Sequence, residues 1–144
     1  MPIPVRDFKA AKTITFTGAA GLGAVGTVSL FTVSGDVLIT GFVGKCTTNL
    51  TEAAPTATVV VGTATTTNHF LTVQNAVDID ADELWGSSVS RATTIQPNTT
   101  TTYELGAINQ NIIITVGAQN VTAGVVEFTC FWRPVSIGAS VVPA

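Results

Sequence analysis

Short stretches in which apolar and polar residues alternate one by one run through most of this chain, and they constrain its fold more than any other feature. The last of them covers residues 125–133, where Val126, Phe128, Cys130 and Trp132 fall on one face. Alternation with a period of two residues places one side of a β-strand against a core. Helical periodicity does not persist for more than one turn anywhere, so the chain is predicted to be all-β.

Further alternating segments at near-regular spacing predict several short strands separated by turns. They cover residues 13–17, 27–33, 36–46, 56–63, 69–73 and 111–117, and a polar loop over residues 87–102 leads into a strand near Tyr103. Gly41 and Gly44 lie inside the third segment and predict a bulge or a close approach of backbones. Many short strands of this kind predict a single-domain antiparallel β-sandwich, similar to a jelly roll.

Strict alternation also assigns the two faces of each strand. In residues 27–33 it separates Val28, Leu30 and Thr32 from Ser29, Phe31 and Val33. In residues 36–46 it separates Leu38, Phe42 and Cys46 from Val37, Ile39 and Val43. The segment AQNVTAG between the last two strands is predicted to be a hairpin connection with Gly124 at positive φ. In that arrangement Ile112, Ile114 and Val116 join the core.

The first twelve residues differ from the rest and are predicted to form an extended arm, residues 1–12, ahead of a β-sandwich domain, residues 13–144. Pro2 and Pro4 block regular strand pairing. Arg6, Lys9 and Lys12 are half of the basic residues of the chain, so the domain itself is more acidic than the whole. A basic arm on an acidic body is suited to reach a neighbouring subunit, and an untidy terminus is the alternative.

Charged side chains are scarce, at 10% of the residues, against about 25% in an average soluble domain. Disorder does not explain this, because disordered chains are poor in apolar residues and this chain is 46% hydrophobic. Uninterrupted apolar runs of about 18 residues are missing, so no membrane span is predicted. Burial in an oligomer is predicted to cover part of the surface, and the net charge of -3 argues against a nucleic-acid partner.

Phe131 falls on the outer face of the last strand, beside Arg133 and among polar residues. An aromatic residue and an arginine exposed together are typical of protein interfaces. The predicted interface consists of these two residues and the arm residues Pro2, Pro4, Arg6, Lys9 and Lys12. Pro134 follows and is predicted to end the strand, because proline has no N–H to donate.

The segment GLGAVG at residues 21–26 matches a dinucleotide-binding pattern. Such a site needs a helix whose N-terminus faces the phosphates. The residues that follow are β-branched and alternating, and they reach Gly35 too soon for a crossover helix. A flexible loop between two antiparallel strands is therefore predicted, without a cofactor.

Asp78, Asp80 and Asp82 have the spacing that opens a calcium loop. The match then fails, because Glu83 stands where the sharp turn needs glycine and Val89 stands where a bidentate glutamate is needed. We predict a turn in which Asp80 or Asp82 accepts backbone N–H groups while Leu84 and Trp85 anchor it in the core. A weak structural cation site is the alternative reading of the same acids.

Residues suited to catalysis do not form a recognisable group. His69 is the single histidine, and no acid–base or nucleophile pattern accompanies it. Cys46 and Cys130 lack a CxxC or Cys/His context, so a zinc site is not predicted. They are predicted to be two buried thiols, with a disulfide open as the alternative if their strands are neighbours. The chain is predicted not to be an enzyme.

The C-terminal third, IIITVGAQNVTAGVVEFTCFWRPVSIGASVV, resembles a recurring ending in small structural proteins of tailed bacteriophages. The segments GDVLITGFVGKC, VVVGTAT and DIDADELWG are similar too, so the resemblance covers roughly residues 35–142. It implies a β-sandwich virion component with a capsid decoration (cement) or similar accessory role. The family supplies no catalytic residues to transfer.

We therefore expect a homo-oligomer, a trimer, that binds the major capsid protein and stabilises the head across capsid seams through avidity. The opening MPIPVRDFKAAKT lacks the apolar region of a signal peptide, so synthesis in the host cytoplasm and residence in the virion are expected. The alternative is a tail, baseplate or fibre component with a carbohydrate- or receptor-binding face built from Trp85, Tyr103 and residues 87–102. A small enzyme and a secreted adhesin are disfavoured by the missing catalytic pairs and signal sequence.

Overall fold

The computed structural model describes residues 7–86 and 107–144, and nearly all of this part of the chain is β-strand or turn. The strands of the described residues are β1 Phe8–Thr15, β2 Gly26–Ser34, β3 Val37–Glu52, β4 Thr58–Gly62, β5 Leu71–Asn75, β6 Leu84–Gly86, β7 Ala107–Ile108, β8 Ile112–Gly117, β9 Val121–Pro134 and β10 Ser140–Pro143. A 3-10 turn, Ala76–Asp78, follows β5. The predicted all-β class is confirmed.

The strands form two antiparallel sheets of five strands each. The first sheet has the order β1-β9-β3-β6. The further short strand β7 pairs with β3 on the side where β6 also pairs, opposite β9. The second sheet has the order β10-β2-β8-β4-β5. Consecutive strands therefore often belong to different sheets, and most pairings join distant parts of the chain.

One hydrophobic core takes residues from both sheets. Phe42 of β3 lies with its ring centroid 6.0 Å from that of Phe31 on β2, in an edge-on arrangement. The same Phe42 ring stacks on Phe70, just before β5, at 5.5 Å. Each buried ring contributes about 2 kcal/mol by leaving water, and these contacts hold the first sheet against the second.

A bulge in β2 changes the face that its later residues occupy. The register with β8 shifts between Ser29 and Phe31, so Leu30 and Phe31 are both fully buried. Thr32 is exposed, although strict alternation grouped it with Leu30. That prediction was wrong because one extra residue in a strand moves every following side chain to the opposite face.

A second bulge has the same effect in β3. The register with β9 shifts between Ile39 and Gly41, and Ile39 and Phe42 both enter the core. Strict alternation had placed these two side chains on opposite faces. The predicted irregularity at the glycines is confirmed, since a Cβ added to Gly44 would lie 3.1 Å from the Phe128 ring.

The connection between β8 and β9 is not the predicted hairpin. The strand β8 lies between β2 and β4, whereas β9 lies between β1 and β3, so residues 118–120 cross from the second sheet to the first. Gly124 does have positive φ, at 116°, but it lies inside β9 rather than in the turn. Ile112 and Ile114 are fully buried, as predicted. Alternation locates core residues but does not reveal which sheet a strand joins.

The N-terminal boundary drawn after residue 12 falls inside β1, which begins at Phe8. Lys9 and Lys12 are therefore strand residues that pair with β9. The strand extends this far because Ala10 continues the buried face begun by Ile14. The other arm residues of the predicted interface, Pro2, Pro4 and Arg6, lie outside the described residues, as do Tyr103 and the loop over 87–102.

Candidate interaction surface

Three exposed apolar side chains lie at the end of the first sheet where β9 finishes. Phe8 at the start of β1 is opposite Trp132, three residues before Val135. Phe8 is 55% exposed, Val135 61%, and Ile137 is exposed completely. We refer to Phe8, Val135 and Ile137 as the apolar end. Val135 and Ile137 follow Trp132 within five residues and Phe8 is its pairing partner, so this end of the sheet is a candidate for contact with other macromolecules.

The core itself holds Phe8 in place at the apolar end. Its ring stacks on Trp132 with the centroids 4.9 Å apart and the ring planes inclined by 26°. Phe8 shares the face of Ala10 and Ile14, two residues that are buried in the core. Phe8 therefore continues the buried face of β1 beyond its covered part and places an aromatic ring at the edge of the core.

The segment after β9 positions the other two side chains. The N–H of Val135 donates a hydrogen bond of 2.9 Å to the carbonyl of Asp36, and the Ser136 N–H donates to the same oxygen at 3.1 Å. Ile137 follows in a turn that Gly138 completes with φ of 78°. Sequence reasoning missed this feature, because Val135 and Ile137 lie beyond Pro134 in the short, irregular connection between β9 and β10. Two β-branched apolar residues inside a turn were the available signal.

The predicted outer contact, Phe131 with Arg133, is largely occupied within the chain. Phe131 is half-buried, and its ring covers Gly41, whose Cβ, if present, would lie 3.3 Å from Phe131 Cδ2. Arg133 forms an ion pair with Asp7 through its Nε atom. Both residues lie on the outer face of β9, and each already has a contact within the chain.

The Asp7–Arg133 pair also changes the acidity of the carboxyl group. The hydrogen bond from Arg133 holds the pKa of Asp7 below its usual value of 3.8. Both side chains lie at the surface, where water and salt weaken such pairs. The pair therefore fixes the position of Asp7, directly before β1, more than it stabilises the fold.

The two arm lysines in the described residues have different surroundings. Lys9 is exposed on the outer face of β1, opposite Phe131. Lys12 is half-buried, and its ammonium group donates hydrogen bonds to Ser29 O at 3.0 Å and to an oxygen of Ala144. Lys9 can contact another molecule directly, whereas Lys12 connects the two sheets.

The acidic stretch after β5 is a turn held by two acceptors. The Glu83 carboxylate accepts the N–H of Asp80 at 3.0 Å, and the side-chain oxygen of Asn49 accepts the N–H of Ala81 at 2.7 Å. The prediction had assigned the capping role to Asp80 or Asp82, and the carboxylate that performs it is that of Glu83. Groups of three or more His, Cys, Asp or Glu side chains able to hold a metal ion do not occur in the described part of the chain.

Trp85 is buried, with 3% of its surface exposed, and anchors this turn as predicted. Leu84 is 37% exposed and does not share that role. A buried indole cannot stack on a sugar, so Trp85 is not part of a carbohydrate-binding face.

The two cysteines are free thiols, and both are buried, as predicted. Burial raises the pKa of Cys130 to about 12, because the thiolate would lose its hydration. Burial also raises the pKa of Cys46. Both groups therefore act as small apolar side chains rather than as nucleophiles.

A small polar hollow lies beside β7 and holds about 180 Å³. Its lining includes Thr63, Thr65, His69, Asn109 and Gln110. The hydroxyl of Thr65 donates to Gln110 Oε1 at 3.0 Å and lies 3.3 Å from the hydroxyl of Thr63. Ligand sites usually enclose about 300–1,000 Å³, so the hollow is small and part of its polar lining is already engaged.

The GLGAVG segment lies in the turn region between β1 and β2, and β2 begins at its last glycine, Gly26. Strand rather than helix follows it, which removes the phosphate-facing helix that a dinucleotide site requires. The two flanking strands belong to different sheets, so the loop passes across the core rather than closing a hairpin.

No helix in the described residues is long and apolar enough to cross a membrane. Comparison of the chain with protein-family models, with curated proteins and with solved structures gives no match.

Proposed function

We propose that this chain is a structural virion protein that decorates the capsid of a tailed bacteriophage and acts by assembly rather than by catalysis. The observation that carries the proposal is the apolar end, where Phe8, Val135 and Ile137 are exposed on a chain with very few charges. The sequence resemblance to small phage structural proteins supports the same role and supplies the choice of partner.

The finer architecture proposed with this function is a β-sandwich of the jelly-roll type. Contacts of Phe42 with Phe31 and Phe70 support it, because they place the first sheet against the second across one core. Alternation of consecutive strands between the two sheets is also typical of such folds.

The proposed mechanism is mechanical. The chain forms a homo-oligomer, a trimer, and its apolar end together with Lys9 contacts the major capsid protein. The chain has fifteen charged side chains on an accessible surface of 7630 Å². Because the charges are so sparse, a contact with another subunit can cover apolar surface and bury few charges, whose removal from water would cost free energy. Several weak contacts in each oligomer then act together and hold neighbouring capsid subunits.

Quantitative mass spectrometry of purified particles, from the phage whose genome encodes this chain, tests the proposal. We expect the chain in many copies in the head fraction after heads and tails are separated. Its absence from particles would overturn the virion role. Recovery in the tail fraction alone would favour the alternative, a tail, baseplate or fibre component with a receptor-binding face.

A further inference from the structure

The strands of the second sheet carry no charged side chain, although one face of this sheet points away from the core. None of β2, β4, β5, β8 and β10 contains Asp, Glu, Lys or Arg. The charged residues that lie on strands of the described part all belong to the first sheet, and they are Lys9, Lys12, Lys45, Glu52, Glu127 and Arg133. A sheet face in contact with water normally carries polar and charged residues, so the second sheet is the unusual one.

The outer face of the second sheet consists of β-branched side chains and hydroxyl groups. In its middle, Thr115 of β8 lies opposite Thr27 of β2 on one side and Val60 of β4 on the other. The next row pairs Ile113 of β8 with Ser29 of β2. Thr27 and Ser29 are exposed, and the other three are half-buried among their neighbours. We refer to these five residues as the uncharged face.

Apolar side chains are also exposed on both edge strands of the second sheet. Val60 lies opposite Thr72 and Val73 of β5, at the irregular step in the pairing of β4 with β5. Val73 is 57% exposed. At the other edge, Val142 of β10 pairs with Thr32 of β2 and is 49% exposed. A partner that covers the uncharged face can therefore extend its apolar contact to either edge.

The chemistry of the uncharged face favours a partner surface of the same kind. A hydroxyl group both donates and accepts a hydrogen bond, so Thr and Ser can pair with the same residues of another copy. Lysine or glutamate cannot do so, because like charges repel across a two-fold axis. A charged partner would lose the hydration of its charges against this face and gain no opposite charge in return. The same face of a second copy avoids both penalties.

The size of the second sheet indicates a weak and reversible contact. Its five strands, about 4.8 Å apart and roughly 18 Å long, outline an area of about 400 Å². Two such faces give about 800 Å² before the relief of the side chains is added, below the roughly 1,200 Å² of standard stable complexes. A pair held by this contact alone therefore dissociates on dilution, whereas oligomers that make the contact several times stay together.

We propose that the uncharged face packs against the same face of a second copy of this chain. Sheets stacked in this way lie about 10 Å apart, with their strands inclined by roughly 30°. The contact is two-fold symmetric, so it joins a chain of one proposed trimer to a chain of the next and does not itself close the trimer. The inference rests on the assembly proposed above and deepens it, because it names a surface by which copies meet.

Crosslinking through the middle strand of the second sheet tests the contact directly. Thr115→Cys places a thiol on β8 within the uncharged face, and the native Cys46 and Cys130 are buried and do not compete. Because stacked sheets lie about 10 Å apart, a short bismaleimide reagent is used instead of oxidation. We expect a product of twice the chain mass. Thr47→Cys, exposed on β3 of the first sheet, is the matched control and is expected to give little of this product.

Charge substitutions test whether the contact joins identical faces. Thr115→Glu brings like charges together and is expected to weaken self-association by roughly tenfold or more. Thr115→Lys is expected to do the same, and mixing the two variants is expected to restore association, because opposite charges then meet. Thr27→Glu, at an exposed position of the same row, is a second variant that disturbs the fold less. Thr47→Glu is the control that is expected to leave association unchanged.

The outcomes separate this inference from the assembly proposal. A multimeric wild type that neither crosslinks through Thr115→Cys nor responds to either glutamate in the uncharged face overturns the face contact and leaves assembly standing. Weakening without recovery in the mixture of Thr115→Glu and Thr115→Lys overturns the pairing of identical faces, as do crosslinks formed with another protein alone. A wild type that is monomeric at all concentrations overturns both proposals. Crosslinks between copies, together with recovery in the mixture, support the contact.

Discussion

The ammonium group of Lys12 on β1 donates a 3.0 Å hydrogen bond to the main-chain oxygen of Ser29 on β2, and so joins strands of different sheets. The same group also donates to an oxygen of Ala144, just beyond β10. The aliphatic part of Lys12 lies between Ala10 and Ile14 on the core-facing side of β1. One side chain therefore connects three strands at the open side of the core.

Lys12→Met is expected to reduce the free energy of unfolding by about 1 kcal/mol, because it leaves backbone oxygens without their charged donor while it keeps most of the apolar stem. Urea denaturation followed by tryptophan fluorescence measures the loss. Lys9→Met is the matched control, since Lys9 is exposed on the other face of the same strand. Equal stability of the two variants would contradict the connecting role of Lys12.

Gly124→Ala is expected to destabilise the protein by about 3 kcal/mol or more, through backbone strain and overpacking together. The residue has φ of 116°, and an added Cβ would lie 2.5 Å from Leu50 Cδ2 and 2.6 Å from Asn49 O. Gly86→Ala is the control, because its Cβ would meet nothing within 4 Å. Thermal denaturation of both variants measures the difference in their stability. A Gly124→Ala protein as stable as Gly86→Ala would contradict the close approach of β9 and β3.

The Asp7–Arg133 ion pair predicts a pH dependence of stability. Arg133 lowers the pKa of Asp7 below 3.8, so the pair contributes fully above the pKa of the unfolded chain and is lost as the pH falls through the folded value. The stability difference between the wild type and Asp7→Asn should therefore vanish in acid. NMR titration of Asp7 should give a pKa below 3.8, and Arg133→Gln should raise that pKa toward the usual value, because Arg133 is the largest of the groups that lower it and the Thr40 hydroxyl is the next. A pKa unchanged by Arg133→Gln would contradict the ion pair.

The burial of both thiols predicts that stability falls at high pH and that thiol reagents label the native protein slowly. Burial raises the pKa of Cys130 from 9.0 to about 12, so the neutral thiol is favoured in the fold, and stability should decline as the pH rises above 9.0. A thiol reagent at neutral pH should label neither cysteine quickly until denaturant is added, when both react. Rapid labelling of the native protein would show that Cys46 or Cys130 is accessible.

Local sequence patterns were enough to predict the β class, the core face of β9 and the burial of both thiols. Val126, Phe128 and Cys130 alternate without interruption, and each is buried. Alternation failed after Leu30, at Phe31 and Thr32, and again between Ile39 and Phe42. A bulge lies at each place, and a bulge depends on how the neighbouring strand pairs and not on the strand itself.

The pairing of strands could not be predicted from the sequence for a related reason. A short connection such as residues 118–120 can close a hairpin or cross to another sheet, and the hydrophobic pattern of β8 and β9 is the same in both cases. The roles of Lys12 and Arg133 depend on Ser29 and Asp7, which are distant in the sequence. Their charges suggested outward contacts, whereas the fold brings them partners from within the chain.

Light scattering coupled to size-exclusion chromatography, over a wide range of concentrations, tests most directly whether this chain works by assembly. We expect a particle whose mass is a multiple of 14.8 kDa and which dissociates on dilution. A single 14.8 kDa species that stays monomeric at the highest concentration, with the apolar end exposed to water, would contradict it.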